Sequence, residues 1–166
     1  MGAGKILVLI GALLTLVSTF FLTFGETLFP GAFASGLGFV FNIPNILSDA
    51  AGYATLMGEE VMIVYILTIV YLVFIISGIL QLVGLASRVV AIIGSILPIA
   101  VGILIILIYS GILDMIQYTV LFWRTPIVDG ILPFDLPVGV VSLGTYTLLA
   151  GGILGFVGGI LGTKDY

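Results

Sequence analysis

Residues 150–162, AGGILGFVGGILG, decide how the rest of the chain is read. They lie in an apolar run long enough to cross a bilayer, and glycine recurs through them at helical spacing. Gly151, Gly155 and Gly159 follow every fourth residue and so share one face of a helix. Gly158 and Gly162 form a second small-xxx-small pair beside that face. Glycine costs a helix in water about 1 kcal/mol relative to alanine, so six in one segment require a compensating gain. In lipid that gain is close backbone approach, because a bare face admits another helix and van der Waals contact holds the pair. The ladder therefore predicts a helix-packing interface.

Composition sets the class. The chain has 166 residues, 61% hydrophobic and 7% charged, with a mean hydropathy of +1.44. Soluble domains carry roughly 25% charged residues, so an integral membrane protein is expected. The absence of cysteine removes disulfides, thiolate metal sites and cysteine nucleophiles. The absence of histidine removes imidazole ligation and histidine acid–base chemistry. A net charge of −4 argues against nucleic acid as a partner, since binding it needs a cationic surface.

The hydropathy pattern divides the chain into four spans: 5–24, 61–83, 89–110 and 139–162. Each has about the 20 apolar residues that a spanning helix needs. The first is longer than the apolar region of a signal peptide, the rival reading for an N-terminal segment that follows a lysine. It carries a small, weakly polar stripe, Gly11, Thr15, Thr19 and Thr23, at every fourth residue. A helix–helix seam is the favoured reading of that stripe and a hydrophilic path the alternative. In the second span Gln81 is the most polar residue well inside any span, and an interhelical hydrogen bond is its expected role. Pro98, mid-way along the third, is a candidate kink or gating hinge.

Two long connections, 25–60 and 111–138, alternate with a tight turn at 84–88. The first contains four acids, no base and four phenylalanines (Phe29, Phe33, Phe39, Phe41) within about a dozen residues. Such a loop must bury its aromatic rings, so Phe33, Phe39 and Phe41, with Trp123 of the second connection, are candidate contacts for a partner. A short strand over 37–43 and short helices over 46–57 and 112–122 are expected. The order of a long outer connection, a tight inner turn and a shorter second connection resembles claudin-like tetraspan proteins in topology. The paired cysteines and tryptophan-rich motif of the claudin first loop have no counterpart here, so no residue role carries over.

Lys5, Arg88 and Lys164 fall on one side of the four spans, and seven acids oppose Arg124 on the other. The positive-inside rule then predicts a multi-pass protein of the cell membrane with both termini cytoplasmic and both long loops outside. The halves 1–83 and 84–166 also align. KILVLIGALLT (5–15) matches RVVAIIGSILP (88–98), and SGILQLVG (77–84) matches GGILGFVG (151–158). A parallel duplication of a helix–loop–helix hairpin is expected.

No span has a charged residue at its middle, as ion-coupled transport and proton relays normally require. No phosphate-binding loop is present, and the outer acids do not match a calcium loop. The expected fold is an all-α integral membrane protein, a four-transmembrane-helix bundle with no metal and no cofactor. The expected function is non-enzymatic: a structural or assembly tetraspan that meets the bilayer and either other membrane subunits or further copies of itself. The alternative is a channel or carrier for a neutral or weakly polar solute.

Overall fold

The computed structural model describes residues 2–162. Lys164, one of the bases that orient the chain, lies outside them. Three helices are long and apolar enough to cross a membrane, or four where a broken span is counted as one. They are α1 (Ala3–Phe21), α6 (Arg88–Tyr109) and α7 (Leu143–Leu161). The remaining candidate is the pair formed by α3 (Ala50–Met57) and α4 (Val61–Ile75), bent by 96° at the break between them. It is followed after Ile76 by α5 (Ser77–Val83). The second span of 61–83 is thus two helices and not one, although Ile76 keeps right-handed backbone angles.

Helix α7 lies between α1 and α6 and runs antiparallel to both, with α5 closing the other side. Gly4 abuts the carbonyls of Gly158 and Gly162, and Gly159 abuts the Arg88 carbonyl. The two ends of the described chain and the turn at 84–87 therefore share one end of the bundle. The opposite end, here termed the cap, carries both long connections. Two small sheets bind it together. In one, β1 (Gly25–Glu26) pairs antiparallel with β2 (Phe33–Ala34), and β2 with β3 (Trp123–Arg124). In the other, β4 (Pro137–Val138) pairs with β5 (Val141–Ser142).

Several boundaries differ from the sequence expectation, each for a local reason. Helix α1 stops at Phe21, before residue 24, because the backbone beyond it pairs elsewhere. Thr23 N–H donates to Phe134 O (3.0 Å) and Phe24 N–H to Ala34 O (2.7 Å). Helix α7 begins at Leu143, after the expected 139, because Gly139 takes a left-handed turn (φ 70°) between β4 and β5. The expected strand over 37–43 is instead part of α2 (Gly36–Ser48), opened by Ser35, whose Oγ accepts from Gly38 N (2.9 Å). The expected helix over 46–57 is split at Asp49, which ends α2 and caps α3 by accepting from Gly52 N (3.0 Å). Over 112–122 only Ile116–Phe122 is helical, as a 3-10 segment. Helix α6 runs through Pro98 as a single 22-residue helix.

Asn42 joins the two connections. Its buried Nδ2 donates to Leu121 O (3.1 Å) and Trp123 O (3.0 Å), and its Oδ1 accepts from Arg124 (3.3 Å). Asn42→Ala leaves two carbonyls without a donor, at about 1–3 kcal/mol for each buried group left unpaired. The expected outcome is a thermal midpoint several degrees lower by circular dichroism in detergent, with helical content unchanged before melting.

Candidate functional site

The small residues of the spans meet one another at the centre of the bundle. A Cβ built on Gly11 would fall 2.5 Å from Gly155 N and 2.6 Å from Gly151 O, so α1 and α7 touch backbone to backbone. Gly151 accommodates Thr15, and Gly158 faces Val8 and the Gly4 carbonyl. Gly152 faces Ile99 and Pro98, and Gly159 faces Ile92, all on α6. The ladder is therefore filled by α1 on one side and α6 on the other. Gly162 is a left-handed helix end (φ 95°), and its carbonyl packs on Gly4.

Three of these contacts recur at positions that the sequence alignment pairs. Gly11 faces Gly155 N, and a Cβ added to Gly94 would fall 2.9 Å from Gln81 N. A Cβ on Gly78 would fall 2.8 Å from Leu16, and one on Gly152 would fall 2.7 Å from Ile99. A Cβ on Gly84 would fall 2.5 Å from Ala91, and one on Gly158 would fall 2.8 Å from Val8. The aligned positions lie 83 residues apart in the first helix of each half (5 and 88) and 74 apart in the second (77 and 151).

Gln81 lies among these seams and is fully buried. Thr15 Oγ1 donates to Gln81 Oε1 (3.3 Å), and Gln81 Nε2 donates to Gly94 O (3.3 Å). Ser95 Oγ donates to Ala91 O and Thr19 Oγ1 to Thr15 O. Thr23 lies beyond the helix, and its Oγ1 donates to Asp135 Oδ1 (2.5 Å), which also accepts from Ser142 Oγ (2.5 Å). Each of these hydroxyls has a protein partner, so the polar stripe forms packed seams. Pro98 is buried against Gly152.

The four aromatic residues proposed as partner contacts separate. Phe39 is fully buried, tilted on Phe122 (5.2 Å between centroids) and edge-on to Tyr71 (5.8 Å). It belongs to the core and cannot meet a partner, because the helix that replaces the expected strand turns it inward. Phe33 and Trp123 are half-buried on neighbouring strands. Phe41 is exposed under the Arg124 guanidinium, 5.6 Å from its centroid. The exposed Phe29 was not among the four, and it stacks edge-on to Trp123.

Two hollows remain. One is an open groove of about 910 Å³ on the cap, bordered by Phe29, Leu56, Tyr53 and Trp123. Burial raises the Tyr53 hydroxyl above its ordinary value, with Arg124 opposing the shift and Asp49 adding to it. The other is an apolar cleft of about 500 Å³ between α4 and α6, roofed by the 3-10 segment. Tyr118 donates to Glu59 at its cap end, and this hydrogen bond raises the tyrosine hydroxyl. No group of three or more acids that could hold a metal occurs among the described residues. Comparison with known protein families, curated proteins and solved structures returns no match.

Proposed function

We propose that the chain is a non-enzymatic assembly protein of the cell membrane, a four-span bundle whose cap docks other membrane subunits or further copies of itself. The observation that carries this reading is the apolar surface of the cap. Leu28, Phe29, Phe41, Leu47 and Leu56 are 45–67% exposed around connections rich in acids. Large apolar side chains exposed on connections outside the spans are candidates for interaction sites, and Phe29 and Leu56 border one groove. Aromatic residues beside an open groove are the usual anchors of an interface.

The orientation follows the basic residues, with both termini cytoplasmic and the cap outside. The two hairpins are read as a parallel duplication, supported by the three recurring glycine contacts. The glycine faces do not support assembly, because they are filled within the chain. The carrier reading finds no support either: Thr15, Thr19 and Gln81 are bonded to neighbouring protein atoms in the packed centre.

The test is a pull-down from native membranes resolved by mass, using the full chain and the double variant F29S/F41S. The expected result is a defined complex that the double variant loses while its thermal midpoint stays within a few degrees of wild type. Surface substitutions of this kind usually change stability by about 0.5 kcal/mol or less. A monodisperse monomer in several mild detergents that retains no partner would sink the proposal.

A further inference from the structure

The cleft between α4 and α6 exists because these helices barely touch. Helix α4 rests on α2 and α3 at the cap and on α5 at its other end, and it leaves the cap half of α6 uncovered. The opening of about 500 Å³ falls within the roughly 300–1,000 Å³ of small-molecule sites. Its shape is set by α6, whose lining residues run from Leu97 to Tyr109. The twelve steps from Leu97 to Tyr109, at a rise of 1.5 Å each, give a length of about 18 Å. The hydrocarbon core of a bilayer is about 30 Å thick, so the cleft is about as long as one leaflet is deep.

Its polarity follows the same direction. The deep end is bounded by Leu97, Val101 and Val70, and the cap end by Glu59 and Tyr118. An amphiphile of the cap-side leaflet has the same order, chain at mid-membrane and head at the surface. The charge around the head end selects further. Glu59 stands beside Glu60 on a cap whose only base among the described residues is Arg124. The hydroxyl of Tyr118 is already committed to Glu59. The remaining capacity of the carboxylate is to accept hydrogen bonds, and an anionic head would meet repulsion.

We propose that this cleft binds the hydrocarbon chain of a single-chain membrane amphiphile whose head is uncharged and donates hydrogen bonds to Glu59. The site is independent of the assembly surface on the cap and stands whether or not the chain has a protein partner. Ala100 and Leu104, exposed on α6 at the cleft wall, mark the side from which a chain enters.

The test uses the delipidated full chain in detergent, titrated by native mass spectrometry with glyceryl monooleate and with oleate, which share a chain and differ in head. The expected result is one saturable equivalent of the monoglyceride, with oleate at least five-fold weaker. A100W, which fills the cleft from its exposed wall, is expected to weaken monoglyceride binding at least ten-fold while the melting curve stays unchanged. V70W does the same from the facing helix should A100W fail to fold. E59Q, which still accepts from Tyr118, is expected to narrow the difference between the two heads. Equal affinity for the two heads overturns the proposal, as does binding of many equivalents that A100W and V70W leave untouched. A chain dimer that takes up no monoglyceride overturns it too, because a second copy then covers the cleft.

Discussion

Gly155→Leu is expected to leave no folded bundle. A Cβ at Gly155 would overlap Ser95 Oγ and stand 3.0 Å from Gln81 Oε1, while Gly11 presses on the Gly155 amide from α1. Neither neighbour moves freely. Ser95 Oγ is bonded to Ala91 O (2.6 Å), and Gln81 is held by Thr15 and Gly94. Overpacking a single methyl into a well-packed core costs about 1–3 kcal/mol. Leucine adds an isobutyl group at a point where three helices converge on α7. The cost is set against a total stability of about 5–15 kcal/mol, so most of the folded population should be lost. Size-exclusion chromatography and far-ultraviolet circular dichroism in detergent read the result. Ile153→Leu, on the exposed side of the same helix, is the control and should behave as wild type. A Gly155→Leu protein that melts like wild type would show that α7 does not pack where the structure places it. Ser95→Ala combined with Gly155→Ala should recover most of the stability that Gly155→Ala alone loses, because it removes the overlapping oxygen.

Three of the four expected spans were legible in the sequence because their signal is local: runs of about 20 apolar residues punctuated by small ones at helical spacing. The glycine ladder was legible as an interface, but its partner was not. A small-xxx-small face says that something approaches closely, and the same pattern serves a neighbour in the same chain or in another. Here α1 and α6 fill it, so the evident surplus of glycine is used internally. Gln81 and Gly155 illustrate the point. They align in the two halves, and across the bundle the missing side chain of one leaves space for the amide of the other.

The cap was much less legible. Its sheet pairs Phe33 with Arg124 across ninety-one positions of sequence, and two-residue strands carry no periodicity to reveal them. A short strand was expected over 37–43, whereas the decisive signals were the caps at Ser35 and Asp49. The cleft between α4 and α6 was invisible, since it depends on how far one helix leans from another. Composition alone cannot report that.

Phe122→Ala is expected to release the cap before it unfolds the bundle. The ring sits where the connections meet the spans, and it touches four rings from three separate segments. Centroids lie 6.2 Å away at Phe24, 5.2 Å at Phe39, 4.6 Å at Tyr71 and 6.1 Å at Phe74. Truncation of a buried phenylalanine costs about 3–5 kcal/mol through lost transfer energy and the cavity left behind. Aromatic pairs add about 0.5–1.5 kcal/mol each beyond their buried area. None of the glycine contacts that join α1, α6 and α7 involves this side chain, so the loss falls on the cap. Near-ultraviolet circular dichroism should weaken, and limited proteolysis should cut within 25–60, at temperatures where far-ultraviolet helicity persists. Phe122→Leu keeps much of the volume and should recover more than half of the loss. Simultaneous loss of cap and helix signals would instead mean that cap and bundle unfold as one cooperative unit. The aromatic cluster would then be as necessary to the spans as the glycine seams are.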